Sequence, residues 1–137
     1  KVIGLSHNAF LNCSDLSSVN MSNCNILRLP GFIFSNCKGL VNVYFPSSLK
    51  VIGTNSFFNC SSINTLVIPD GVEFIGDFAF CNCHNLEAVY FPDSLKYLGK
   101  SAFKNCDKLV NVALPNNLKR IERSCFENCV EARIFWK

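Results

Sequence analysis

The sequence predicts a repeat solenoid, mostly β with short helical turns, in about five and a half repeats of 23 residues. Three observations carry that expectation. The dipeptide Asn-Cys recurs at Asn12-Cys13, Asn36-Cys37, Asn59-Cys60, Asn82-Cys83, Asn105-Cys106 and Asn128-Cys129, in steps of 24, 23, 23, 23 and 23 residues. A Phe stands three residues before each of these cysteines, at Phe10, Phe34, Phe57, Phe80, Phe103 and Phe126. Further apolar columns keep the same step. Three residues after the Cys come Leu16, Leu40, Ile63, Leu86 and Leu109, with Ala132 as the lapse; six after come Val19, Val43, Leu66, Val89, Val112 and Phe135.

The elements follow in order along one repeat. Leu40, Val43 and Phe45 face inward from a short strand, because Val43 and Phe45 are two residues apart on one pleat face. Pro46, and Pro69, Pro92 and Pro115 after it, stop the strand, since proline has no N–H for a ladder. Leu49 and Ile52 form a second inward pair on the return leg. Their columns run Val2, Ile26, Leu49, Val72, Leu95, Leu118 and Leu5, Leu29, Ile52, Ile75, Leu98, Ile121. Gly53, Gly76 and Gly99 follow, where a tight corner is expected. Ala79-Phe80 and Ala102-Phe103 then open a short helical turn. A single coil cannot bury its own apolar set, but coils stacked about 4.8 Å apart make each column continuous. The first junction, Met21–Ile26, holds one extra residue, lacks the Pro and adds Cys24.

The run Phe45-Pro46-x2-Leu49-x2-Ile52-Gly53-x3-Phe57-x2-Cys60 returns from Phe91 to Cys106. It resembles the leucine-rich repeat class, and most closely the BspA-like subclass, over nearly the whole chain. The resemblance implies a right-handed arc with a parallel sheet on one face. It also implies surface or secreted proteins of bacteria and protozoa that bind other proteins. The matching residues are all scaffold, so the resemblance speaks to fold far more than to function. Residues 1–137 read as one leucine-rich repeat domain, with a half repeat over 1–15, repeats over 16–129 and a final strand over 130–137.

Composition excludes several classes. Thirteen basic and ten acidic residues leave a net charge of +3, too little for a nucleic-acid binder. At 49% apolar and 17% charged residues, the chain has ample material for a core. No apolar run approaches the roughly eighteen residues of a membrane span, so no membrane insertion is expected within this chain. Residues 1–69 carry four basic and one acidic group; residues 70–137 carry nine of each.

The nine cysteines suggest a buried thiol ladder, since six of them fall once per turn on one column. Cys81-x-Cys83 and Cys125-x3-Cys129 are the close pairs, and no His joins them in a ligand pattern, so no metal and no cofactor are expected. Cys125 replaces the small Ala of its column, and Cys81 is expected at an exposed position. His7 and His84 occupy unmatched repeat positions without a nucleophile elbow or phosphate loop, so no catalytic residue is assigned and the chain reads as no enzyme. Asp70, Asp77, Asp93 and Asp107 fall in turns. Sequons begin at Asn12, Asn20 and Asn59; Asn20 is the one with an exposed setting, and the column Asn is expected to bond turn backbone.

Function should lie in columns the core does not need. Seven residues after each Cys, pointing out of the sheet, stand Asn20, Tyr44, Val67, Tyr90, Ala113 and Trp136. Two residues earlier stand Ser18, Asn42, Thr65, Ala88, Asn111 and Ile134. Aromatic residues on a rigid exposed sheet are typical interface anchors, so Tyr44, Val67, Tyr90 and Trp136 are the candidate protein-binding residues. Lys50, Glu73, Lys96 and Lys119, with Arg120 and Arg123, read as a solvated edge.

The final strand, Arg133 to Lys137, is expected to hold Phe135 inward and Ile134 and Trp136 outward. It would leave an uncovered layer of Leu118, Ile121, Phe126 and Phe135. Ile134, Phe135 and Trp136 are therefore expected to form an oligomer contact in a homodimer or dimer of dimers. The sequence thus reads as a non-catalytic protein–protein interaction module, an adhesin-like or antigen-type surface protein that self-associates. The alternative is an intracellular scaffold, or a protein phosphatase-1 regulatory subunit, because Arg133-Ile134-Phe135-Trp136 resembles the basic-aliphatic-x-aromatic docking motif of such subunits. Location divides the same way: the cell surface by family resemblance, or the cytoplasm from unpaired cysteines.

Overall fold

The computed structural model describes residues 4–137, so Val2 lies outside the described residues. In chain order the strands are β1 (Ser18–Asn20), β2 (Arg28–Leu29), β3 (Asn42–Tyr44), β4 (Val51–Ile52), β5 (Thr65–Val67), β6 (Phe74–Ile75), β7 (Ala88–Tyr90), β8 (Tyr97–Leu98), β9 (Asn111–Leu114), β10 (Arg120–Ile121) and β11 (Arg133–Trp136). All pairings are parallel, as a solenoid requires. The return legs β2, β4, β6, β8 and β10 form one continuous five-stranded sheet. The other strand series is split: β1 pairs with β3, and β5, β7, β9 and β11 form a separate four-stranded sheet.

The columns stack as their spacing demands. Phe34, Phe57, Phe80 and Phe103 are fully buried. Successive rings from Phe10 to Phe126 lie 5.1–5.6 Å apart with planes within 25° of parallel. Offset stacks of this kind add to what their buried area contributes. Leu40, Ile63, Leu86 and Leu109 are buried beside them, as are Leu29, Ile52, Ile75 and Leu98.

Among the described residues there is no helix, which corrects the expected helical turns. The Ala-Phe segment is instead a string of β-turns. In coil after coil, residues five and one before the column Cys are left-handed, from Asn8 and Asn12 (φ 62°) to Ser124 (φ 60°) and Asn128 (φ 62°). These left-handed residues occupy the third position of turns such as Gly53–Ser56 and Phe57–Cys60, as type II geometry requires. Alternate N–H groups then point to the next coil, as in Phe57 N–H to Ala79 (2.8 Å) and Asn59 N–H to Cys81 (2.9 Å). A helix would turn those groups back on its own chain.

The column Asn follows from this geometry. Asn tolerates the left-handed region better than other non-glycine residues. Its side chain does not bond turn backbone, contrary to expectation. Asn36, Asn59, Asn82, Asn105 and Asn128 each donate to the side-chain oxygen of the Asn one coil earlier, at 2.7–2.9 Å.

Glycine is needed for a different reason from the one expected. Gly53, Gly76 and Gly99 do not take positive φ. A Cβ on Gly53 would stand 2.5 Å from the Leu29 carbonyl oxygen, and one on Gly99 would stand 2.5 Å from the Gly76 backbone. Close approach of coils, not a tight corner, selects glycine there.

The last strand slips out of register. β11 sets Ile134 beside Val112, Phe135 beside Ala113 and Trp136 beside Leu114, a 22-residue offset where β5 and β7 keep 23. A one-residue slip exchanges the two faces. Phe135 therefore joins the outward row, while Ile134 and Trp136 align with the inward positions of Val112 and Leu114. This reverses the expected facing of all three. The slip follows Ala132, which stands where the preceding coils carry buried Leu or Ile side chains such as Leu109.

Candidate protein-contact face

Tyr44, Val67 and Tyr90 are the last residues of β3, β5 and β7 and are 53%, 65% and 60% exposed. Alternation forces this, since their neighbours Leu66 and Val89 are buried. Val67 and Tyr90 are direct partners across β5 and β7. Asn42 and Thr65 flank the row as small polar exposed groups, with Ala88 half-buried. The β11 slip replaces Trp136 in the row by Phe135. Ile134, Phe135 and Trp136 all stay exposed on the outermost strand.

A cavity of about 410 Å³ opens beside this row, between β3 and β5. The split in the sheet predicts where water should reach the core, and burial agrees. Val43 and Phe45 are only half-buried, whereas Leu66, Ile68, Val89 and Phe91 are buried.

The thiols are scaffold. All nine cysteines are free. Cys37, Cys60, Cys83 and Cys106 are buried, and each donates to the carbonyl of the Phe one coil earlier, at 3.1–3.5 Å. Burial pushes the Cys60 and Cys83 thiols well above the usual range, and Cys125 up to about 12, so they are poor nucleophiles. Cys81 was expected to be exposed and is buried, its Sγ 3.5 Å from the Asn82 side-chain oxygen.

Several other polar groups bond neighbours one coil away. His84 Nδ1 meets Asp107 Oδ2 at 2.9 Å on the surface, and His7 Nδ1 meets the Gly31 carbonyl at 3.2 Å. Asp77 accepts from the Lys100 N–H at 2.8 Å and so caps the next coil. Lys96 pairs with Glu73 at 3.1 Å along the return-leg edge. Of the sequon residues, Asn59 is held on both sides in the amide ladder, whereas exposed Asn20 bonds only Ser22. Among the described residues no three His, Cys, Asp or Glu side chains gather as a metal site, and no helix is long and apolar enough to cross a membrane.

Residues 3–133 match the BspA type leucine-rich repeat region in six copies. The chain belongs to the BspA-type leucine-rich repeat family. Solved structures agree. A leucine-rich repeat protein from T. pallidum is 34% identical with a TM-score of 0.78, over 80% of this chain and 51% of that one. One from Bacteroides ovatus is 30% identical with a TM-score of 0.71, over 98% of this chain and 40% of that one. One from Eubacterium ventriosum is 26% identical with a TM-score of 0.71, over 81% and 29%. The chain thus spans about half or less of these relatives. No curated protein of known function matches it. The repeat fold is one suited to protein interaction.

Proposed function

We propose that this BspA-type chain is a non-catalytic protein-binding module whose contact face is the outward row of β3, β5 and β7. One observation carries the reading: Tyr44, Val67 and Tyr90 lie on one face, all more than half exposed, with Val67 and Tyr90 paired and Tyr44 across the cavity from Val67. Rigid aromatic groups lose little entropy on binding, which is why such residues concentrate binding energy. Family membership favours an adhesin-like or antigen-type role at a cell surface, and the free thiols favour a reducing compartment. Self-association is part of the proposal, through the open edge of β11 with Ile134, Phe135 and Trp136. The phosphatase-docking alternative loses support, because Arg133–Trp136 is a paired strand on β9 and not a free tail.

The test is affinity capture from intact cell surfaces and from lysate, comparing the wild type with Tyr44→Ser/Tyr90→Ser. Retained fold with capture weakened by about 1–2 kcal/mol per anchor supports the face. Equal capture by both proteins removes it, and capture from one source alone assigns the compartment.

A further inference from the structure

The sheet behind the contact face is interrupted at one place, between β3 and β5. Pairing is weaker at the two junctions where a Phe closes the strand. Where the closing residue is Ile68, β5 and β7 pair over three residues. Where it is Phe91, β7 meets β9 only through Ala88 and Asn111. Where it is Phe45, β3 and β5 do not pair at all. Both phenylalanines turn edge-on to the Phe column: Phe45 against Phe57 at 5.8 Å, and Phe91 against Phe103 at 5.5 Å. Both weakly joined junctions thus carry an edge-on ring at the strand end.

The break leaves a defined set of backbone groups. In a parallel strand, alternate residues direct their N–H and C=O to opposite neighbours. On β3, Asn42 N–H bonds Ser17 and the Tyr44 carbonyl accepts from Met21, both on the β1 side. On the far lip, the Asn64 carbonyl and the Ile68 N–H are bonded to Ala88 and Tyr90 of the β7 coil. Val43 on one lip, and Thr65 and Val67 on the other, therefore aim their N–H and C=O groups into the gap. No hydrogen bond among the described residues joins the two lips.

We propose that this notch takes an extended, uncharged peptide segment of a partner protein, inserted as a strand between β3 and β5. The claim rests on the contact-face reading and names what that face receives. Facing rows of unpaired donors and acceptors are the complement of a strand backbone, the chemistry of strand addition. No charged side chain lines the cavity, which favours an uncharged segment. Its 410 Å³ is within the range of ordinary ligand sites. Alternate side chains of the guest would cover half-buried Val43 and Phe45 on one side and lie beside Tyr44 and Val67 on the other.

The test uses a capped, fluorescent eight-residue peptide of alternating Thr and Val, with amide hydrogen exchange and anisotropy as readouts. In the free protein the Val43, Thr65 and Val67 amides should exchange fast, and saturating peptide should slow them at least tenfold. The same peptide N-methylated at alternate residues should bind at least tenfold more weakly. Phe45→Ile, which copies Ile68, should close the notch, protect these amides without peptide and weaken peptide binding at least tenfold. Should that variant fail to fold, the N-methylated peptide still decides. Protected Thr65 and Val67 amides in the free wild type would overturn the proposal. So would slowing confined to β1 or β11, or equal binding of the N-methylated peptide. Should peptide fail while Tyr44→Ser/Tyr90→Ser still weakens capture, the notch falls and the contact face stands.

Discussion

The thiol of Cys60 donates a hydrogen bond to the carbonyl of Phe34, one coil earlier, at 3.1 Å. The same carbonyl accepts the N–H of Cys37, so thiol and amide share it. The Cys column thus has a bonded role as well as a small volume, and both require that the thiol stay protonated. Thiol titration of native protein should find Cys13 reactive at once, with half-buried Cys24 and Cys129 slower. The remaining six should react only in denaturant. Nine equally fast thiols would contradict the ladder.

The raised thiols also set a pH dependence. Burial holds Cys125 at about 12 in the folded chain, above its ordinary value of 9.0. The folded state therefore keeps a proton that the unfolded state gives up. This stabilisation is complete below pH 9 and is lost as pH rises toward about 12. Denaturant midpoints measured from pH 8 to 11 should fall steadily, and a flat profile would contradict buried thiols.

Ser56 occupies the column of Ala79 and Ala102, is fully buried, and its hydroxyl has no partner. An unpaired buried hydroxyl costs on the order of 1–3 kcal/mol. Ser56→Ala should raise the unfolding free energy from denaturant titration by about 1 kcal/mol. Phe80→Ala, in the centre of the ring stack, should lower it by about 3–5 kcal/mol. A neutral Phe80→Ala would contradict the stack as the source of stability.

Among the described residues β11 is the outermost strand of its sheet, with exposed Ile134, Phe135 and Trp136. Light scattering on a sizing column should find a dimer or larger at tens of micromolar, reduced by Trp136→Glu with Ile134→Glu. A strict 15.3 kDa monomer would end the self-association proposal.

The columns were legible because stacking forces one residue type to recur at every coil, so Phe57, Cys60 and Ile52 announced their places by spacing alone. Features that depend on how coils meet were not. The Asn59–Asn82 bond needs the knowledge that left-handed turns bring equivalent amides together. Gly53 signals a special position, but spacing cannot tell a tight corner from close approach. Phe45, Ile68 and Phe91 fit the same apolar column, and spacing alone does not show that the sheet opens after Phe45 while it stays joined after Ile68 and Phe91. A step of 23 from Ala113 leads to Trp136, whereas the slip after Ala132 sets Phe135 in that row instead.

The contact face is tested most directly by cross-linking, with photoreactive benzoylphenylalanine in place of Val67 on the sheet and, separately, in place of Lys96 on the return leg. Val67 is 65% exposed between Tyr44 and Tyr90, so a partner on this face must pass over it. Irradiation with the captured partner should give an adduct from position 67 and none from position 96. An adduct from position 96 alone would contradict a contact face on β3, β5 and β7.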